Sequence, residues 1–229
     1  MARQLIITEF LSLDGVMEAP GGGDHPHAGW TFQGIEFLPE AYELKGREQQ
    51  QASAILLGRV TFEEFAPVWP SMDDQFPLYN AMPKYVVSTT LSDADVEGVA
   101  WKNCHRLDSI EAVRALKEGR IPAAPGAAPA GAATATGSGS EAAADEGPII
   151  VHGSATLAQS LAAAGLVDRY HLVTFPVVLG EGKRLFASDG DCHQRLRLVE
   201  DKAFGNGVRM SIYDVVRDEA EVVAPHPMA

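Results

Sequence analysis

The sequence predicts one α/β domain: a three-layer, largely parallel mixed sheet of about eight strands flanked by helices, closing on an antiparallel C-terminal edge. Three observations carry this. Ala52 to Leu57 (ASAILL) and Pro148 to His152 (PIIVH) are short, largely apolar runs, the composition of strands buried on both faces. Helical patterns alternate with such runs, the order that builds a parallel sheet. Near the C-terminus, Arg195 to Lys202 and Gly207 to Val216 alternate around Gly205-Asn206-Gly207, which reads as a closing hairpin.

Each element has its own signal. Gln4 to Ser12 (QLIITEFLS) is rich in β-branched and aromatic residues and reads as the first strand. A Gly/Pro/His-rich loop, Ala19 to Gly29, follows it. Leu38 to Gln51 reads as a helix with Pro39 in its first turn. Another helix begins at Thr61 to Phe65, and Pro83 to Ser88 is a strand. Ser109 to Glu118 is an amphipathic helix, and Thr156 to Ala164 is a further one. Asp168 to Leu179 is a long strand broken at Pro176.

Residues 121–147 are almost entirely Ala, Gly, Pro, Ser and Thr. They lack the large apolar side chains that offset the entropy of ordering, so they read as a flexible insertion. A buried strand resumes directly afterwards. The 229 residues therefore read as a single domain, 1–229, rather than two.

Charge narrows the partners. The formal net charge of −13 repels nucleic acid and anionic membrane surfaces. A small molecule is the expected ligand, and local helix N-termini can still bind an anion against that mean field. Cys104 and Cys192 form no CxxC pair and no disulfide framework, which points to a reducing, cytoplasmic setting. The N-terminal stretch is too short and polar for a signal sequence, and no apolar run is long enough to span a bilayer. Asp24, His25 and His27 are too few and too closely spaced for a metal site, so no metal is expected. Asp191-Cys192-His193 reads as a surface loop, since sequence neighbours rarely achieve nucleophile–base geometry.

Two segments share one grammar. Ile55 to Glu63 (ILLGRVTFE) and Ile149 to Leu157 (IIVHGSATL) each run from a buried strand through glycine into a helix start. Such turns bring backbone N–H groups and a partial positive charge to a phosphate. Arg59 can fork onto one, and Thr61 can cap its helix. A third strand ends in Ser88-Thr89-Thr90, hydroxyls suited to phosphate or ribose. Ligands of open α/β sheets collect at this carboxyl edge. Both GxGxxG and GxxxxGK[ST] are missing, which disfavours an ordinary Rossmann dehydrogenase and a P-loop enzyme.

Five ordered segments extend this to a family resemblance: Phe10 to Gly15 (FLSLDG), Leu57 to Glu63 (LGRVTFE), Val87 to Thr90 (VSTT), Val151 to Leu157 (VHGSATL) and Pro176 to Gly180 (PVVLG). Together they resemble the dihydrofolate-reductase-like superfamily, on the branch of the reductase domain of the riboflavin-biosynthesis deaminase/reductase and its stand-alone relatives. That resemblance implies NADPH as hydride donor. It implies that Gly58, Arg59, Val60 and Thr61 hold the adenosine-side phosphates, with Ser88 and Thr89 near the 2′-phosphate. Gly153, Ser154, Ala155, Thr156 and Leu157 would hold the pyrophosphate and approach the nicotinamide. Asp14 and Gly15 would face nicotinamide and substrate. It also implies a homodimer, consistent with the apolar run Phe175 to Leu179.

The substrate side departs from the family pattern. The carboxylate that dihydrofolate reductases carry on the helix after the first loop falls near Ala41, between Glu40 and Glu43. Those two and Asp14 become the candidate catalytic carboxylates, with Asp14 also readable as an ordinary Asp-Gly turn residue. Phe65 to Pro70 (FAPVWP) lacks an obvious phosphate-binding Arg, and Trp69 reads as cleft wall or core. The expected activity is NADPH-dependent reduction of a small heteroaromatic or carbonyl compound. The alternatives are a non-catalytic nucleotide or small-molecule binding protein on the same fold, or a reductase using a deazaflavin.

Overall fold

A computed structural model describes residues 2–121, 147–186 and 193–217. The low-complexity insertion read at 121–147 lies almost wholly outside the described residues, as do Asp191 and Cys192.

Eight strands form one sheet in the order β4-β3-β2-β5-β1-β6-β8-β7. They are β1 (Leu5–Ser12), β2 (Ala54–Gly58), β3 (Lys84–Val87), β4 (Cys104–Leu107), β5 (Ile149–His152), β6 (Arg169–Phe175), β7 (Arg195–Ala203) and β8 (Arg209–Val216). The first six pair in parallel; β6–β8 and β8–β7 are antiparallel. Among the described residues six α-helices cover the sheet: α1 (Glu43–Gln51), α2 (Arg59–Phe65), α3 (Pro77–Ala81), α4 (Asp93–Glu97), α5 (Ile110–Lys117) and α6 (Ala155–Ala163).

Alternation along β1 explains the layers. Leu5, Ile7 and Leu11 enter one core with Val113 and Leu116 of α5 and Leu157 and Leu161 of α6. Ile6 enters the opposite core with Ile55, Leu57, Phe62 of α2 and Tyr79 of α3. A third cluster, around Trp30, Phe175 and Leu44 of α1, covers the β6–β8 end of that sheet. Trp30 is core, anchored by its indole N–H to the Glu18 carbonyl at 2.9 Å.

Expected and observed elements differ where local signals were weak. The helix read from Leu38 begins as a 3-10 turn, Pro39–Tyr42, and becomes α-helical at Glu43. β4 went unread because four residues, Cys-His-Arg-Leu, carry no strand signature without β3 beside them. The short α3 and α4 were likewise missed. β6 stops at Phe175, before Pro176, which has no N–H for the ladder. β7 is exposed nearly throughout and carries Arg195, Arg197, Glu200, Asp201 and Lys202, charges that discourage edge-to-edge pairing. No helix among the described residues is long and apolar enough to cross a membrane.

Candidate functional site

β2 and β5 are neighbours, so the turns at their carboxyl ends lie side by side. Gly153 and Ser154 both adopt left-handed backbone, φ 69° and 68°. For serine that conformation costs roughly 1–2 kcal/mol. The Ser154 hydroxyl shows what holds it there. It accepts the Gly58 N–H at 2.7 Å and donates to Thr61 Oγ1 at 2.7 Å. The two turns are thereby tied into one unit.

The glycines serve that union. A Cβ on Gly58 would meet Ser154 Oγ at 2.8 Å, and one on Gly153 would meet Thr61 Cγ2 at 2.8 Å. Each glycine is fitted against the opposite turn rather than held open for a phosphate. What the turns leave for an anion is backbone N–H. Neither α2 nor α6 has a side-chain N-cap, whereas Ser92 and Ser109 cap α4 and α5. The uncapped first-turn donors and helix dipoles converge at the sheet's carboxyl edge.

The other expected cofactor residues divide into surface and scaffold. Arg59 and Val60 are exposed at the start of α2, with Arg59 paired to Glu63 at 2.7 Å. Thr89 and Thr156 are exposed on the same edge. Thr61, Ala155 and Leu157 are buried and build the turns. Ser88 is also scaffold: its Oγ accepts the N–H groups of Thr90 at 3.2 Å and Leu91 at 3.0 Å.

Asp14 is a staple. Its carboxylate accepts from the Ser12 hydroxyl at 2.7 Å, the Leu179 and Gly180 N–H groups at 3.1 and 2.9 Å, and Arg184 at 3.2 Å. Burial alone would raise its pKa, but the Ser12 hydroxyl and the two N–H groups outweigh that and hold it at about 2. These four donors fix Asp14 as the tie between the first loop and the segment at 179–184. Gly15 supplies the turn, at φ 81°.

Helical phase corrects the other two carboxylates. The sheet-facing stripe of this segment is Ala41, Leu44 and Glu48. Glu40 and Glu43 lie on the outer side and are exposed; Glu43 approaches Lys202 of β7 at 3.9 Å. The inward carboxylate is Glu48, two helical turns past Ala41, which the sequence reading did not single out.

Glu48 closes a buried polar network over β1. Its Oε1 accepts the Thr8 hydroxyl at 2.6 Å and lies 2.7 Å from His171 Nδ1. Its Oε2 is 3.5 Å from Lys45 Nζ, and Lys45 also donates to Thr8 Oγ1. Burial would raise the Glu48 carboxyl, yet Lys45, His171 and Thr8 hold it near 2. Thr8, His152 and His171 occupy one row across β5, β1 and β6, so their side chains share the α1 face. Tyr79 of α3 reaches His152 Nδ1 at 3.0 Å. Burial, aided by Lys45, holds His152 well below its ordinary pKa, so the neutral ring accepts from the tyrosine.

Glu9 is the second buried carboxyl. Burial raises it from 4.5 to about 8, only partly opposed by Lys45 and the Gly153 N–H. Its Oε1 has no hydrogen-bond partner among the described residues, and neither has His171 Nε2. Periodicity concealed these groups because Thr8 and Glu9 sit inside an otherwise apolar strand. The polar pair itself was the available signal.

Aromatic rings border the network. Trp69 is half-buried against Tyr79, with centroids 4.2 Å apart, and Phe65 meets His152 edge-on at 5.8 Å. On the other side Phe10 packs edge-on against Tyr42 at 5.8 Å, and Lys45 Nζ lies 4.9 Å from the Phe10 centroid. Trp69 also packs on Phe76 and Trp101, with centroids 5.4 and 6.5 Å away.

Comparisons with known proteins agree with this architecture. The sequence matches the RibD C-terminal domain over residues 3–122 and 141–210. The uncharacterized protein YyaP of Bacillus subtilis is 27% identical over 224 residues, covering 92% of this chain and 94% of that protein. Three solved structures share the fold. A protein from Shewanella sp. PV-4 assigned to riboflavin biosynthesis has a TM-score of 0.63 at 16% identity, covering 95% of this chain and all of that one. A pyrimidine reductase-like protein of Corynebacterium diphtheriae has a TM-score of 0.55 at 15% identity, covering 94% and 93%. Dihydrofolate reductase of Enterococcus faecalis, complexed with NADP(H) and RAB-propyl, has a TM-score of 0.52 at 13% identity, covering 93% and 96%. Fold and family are those of reductases, and the chain belongs to the RibD C-terminal domain family.

Proposed function

We propose that this protein is an NADPH-dependent reductase acting on a small planar heteroaromatic or carbonyl compound. The observation that carries the reading is the pair of uncapped helix starts, α2 and α6, joined through Ser154 at the carboxyl edge of the sheet. Two adjacent N-termini suit a ligand with phosphates at two places. The residues present therefore fit a phosphorylated dinucleotide. First-turn N–H groups of α6 would hold the pyrophosphate. Those of α2, with Arg59, would hold the adenosine-side phosphates, and Thr89 would lie near the 2′-phosphate. When bound, NADPH supplies a hydride; the protein supplies orientation and a proton.

The relatives support the same reading. The Enterococcus fold neighbour is a reductase complexed with NADP(H), and another neighbour is described as pyrimidine reductase-like. The aromatic border of Phe10, Tyr42, Phe65 and Trp69 suits a flat ring.

Titration with NADPH, followed by quenching of tryptophan fluorescence and by calorimetry, tests the reading. Saturable 1:1 binding is expected, followed by oxidation of NADPH when pteridines, pyrimidines and quinones are added. No NADPH binding refutes it. Tight NADPH binding without oxidation of any compound favours a binding protein on the same fold. Tighter binding of a deazaflavin than of NADPH reassigns the cofactor.

A further inference from the structure

We propose that Lys45 is the acid that protonates the reduced substrate, and that Thr8, Glu48 and His171 position its ammonium for this. The inference rests on the reductase reading above and deepens its substrate half.

The hydrogen bonds run in one direction. Lys45 Nζ donates to Thr8 Oγ1, the Thr8 hydroxyl donates to Glu48 Oε1 at 2.6 Å, and His171 Nδ1 donates to the same oxygen at 2.7 Å. Glu48 Oε2 faces Nζ at 3.5 Å. Thr8 of β1 and Glu48 of α1 thus meet one ammonium directly, and His171 of β6 holds Glu48 in place. The pair lies over the central strand, where burying two charges carries a desolvation cost that a surface pair avoids. The ammonium's third N–H direction meets no oxygen or nitrogen acceptor among the described residues. It faces the ring of Phe10, 4.9 Å to the centroid, a soft partner that an incoming oxygen or nitrogen displaces. Phe10 lies beyond Thr8 toward the carboxyl end of β1, the edge where the α2 and α6 turns gather.

Other candidates for the proton are excluded by their surroundings. Asp14 has its oxygens filled by four donors. Glu40 and Glu43 are exposed on the far side of their helix. Tyr79 is committed to His152. Glu9 points to the opposite face of β1 from Thr8. The charged and titratable groups on the Lys45 side of the sheet are Glu48 of α1, Tyr79 of α3, His152 of β5 and His171 of β6, while Glu9, on the other face of β1, interacts with it only through charge.

The substrate class follows from the chemistry. The acceptor is a planar ring compound with a C=O or C=N bond. Its carbon would take the hydride that bound NADPH supplies, its oxygen or nitrogen would take the proton from Lys45 Nζ, and the π bond would be lost, leaving NADP+. Lys45 would regain its proton from solvent, to which its side chain is 13% exposed.

The test compares the full-length protein with Lys45→Arg, Lys45→Met, Thr8→Ser and Thr8→Val, against a panel of pteridine, pyrimidine and quinone acceptors. Lys45→Arg keeps the charge and cannot release a proton at working pH. Both Lys45 variants should lower kcat roughly 100-fold or more, the usual weight of one general acid. KM should change less than threefold and NADPH affinity should stay unchanged. Thr8→Ser should keep wild-type kcat, and Thr8→Val should lose it without losing NADPH binding. In 15N spectra, the Lys45 Nζ resonance should move on adding an acceptor while those of Lys84 and Lys117 stay. If Lys45→Arg retains kcat, or Lys45→Met raises KM alone, Lys45 is an anchor and the proposal is wrong. NADPH binding with no panel member reduced and none shifting the Nζ resonance overturns this proposal alone. Failure to bind NADPH overturns the reductase reading instead.

Discussion

Glu9→Gln should stabilise the protein, and more so as pH rises. Glu9 is buried in the middle of β1, where burial lifts its pKa from 4.5 to about 8. Its folded value lies above its unfolded value. The contribution it makes is therefore intact below pH 4.5 and is lost progressively as pH climbs to about 8. Each pH unit in that window removes about 1.4 kcal/mol. At pH 7 the window has been crossed by about 2.5 units, so the wild-type carboxyl destabilises the fold by on the order of 3 kcal/mol. Glutamine has the same shape, stays neutral and can still accept the Gly153 N–H. Urea unfolding of both proteins at pH 5 and pH 8 measures the effect. Asp14, Glu48 and His152 titrate alike in both chains, so they cancel in the difference. Near-equal stability is expected at pH 5, and a glutamine advantage of roughly 3–5 kcal/mol at pH 8. If the variant is less stable at pH 8, or the gap does not change with pH, Glu9 is ionised in the folded protein. The account of a neutral carboxyl beneath the Gly153 turn then fails.

Four further outcomes are expected. Ser154→Ala removes both bonds joining the turns; it should lower stability by about 1–3 kcal/mol and weaken NADPH binding, read by thermal melting and fluorescence titration. Arg59→Ala should weaken NADPH far more than NADH if Arg59 reads the 2′-phosphate, and equal weakening in paired titrations removes that assignment. Asp14→Ala frees the segment at 179–184 from the first loop. It should melt earlier and become cleavable there by limited proteolysis, whereas wild-type resistance would show that Arg184 and the Val16–Arg184 bridge suffice. Scattering mass should report a homodimer, because Val178 projects from the apolar run after β6 and Leu196, Leu198 and Val199 are exposed on β7; a monomer at micromolar concentration refutes it.

The sequence determined the α/β order, the hairpin at residues 195–216 and the paired strand–glycine–helix turns. These depend on neighbours a few residues apart: apolar runs, Gly and Pro, and a residue such as Ser109 that caps its own helix. It also identified the family, because five short segments occur in a fixed order. Tertiary structure decided why the glycines at 58 and 153 are needed, since the side chain that fills each space comes from the other turn, about 95 positions away. It likewise decided which carboxylate faces inward. Glu40, Glu43 and Glu48 are equivalent on paper, and the 3-10 onset at Pro39 sets the phase that turns Glu48 toward Thr8 and His171, 40 and 123 residues distant. A buried charge persists only where partners meet it in space, and no local pattern of residues records that meeting.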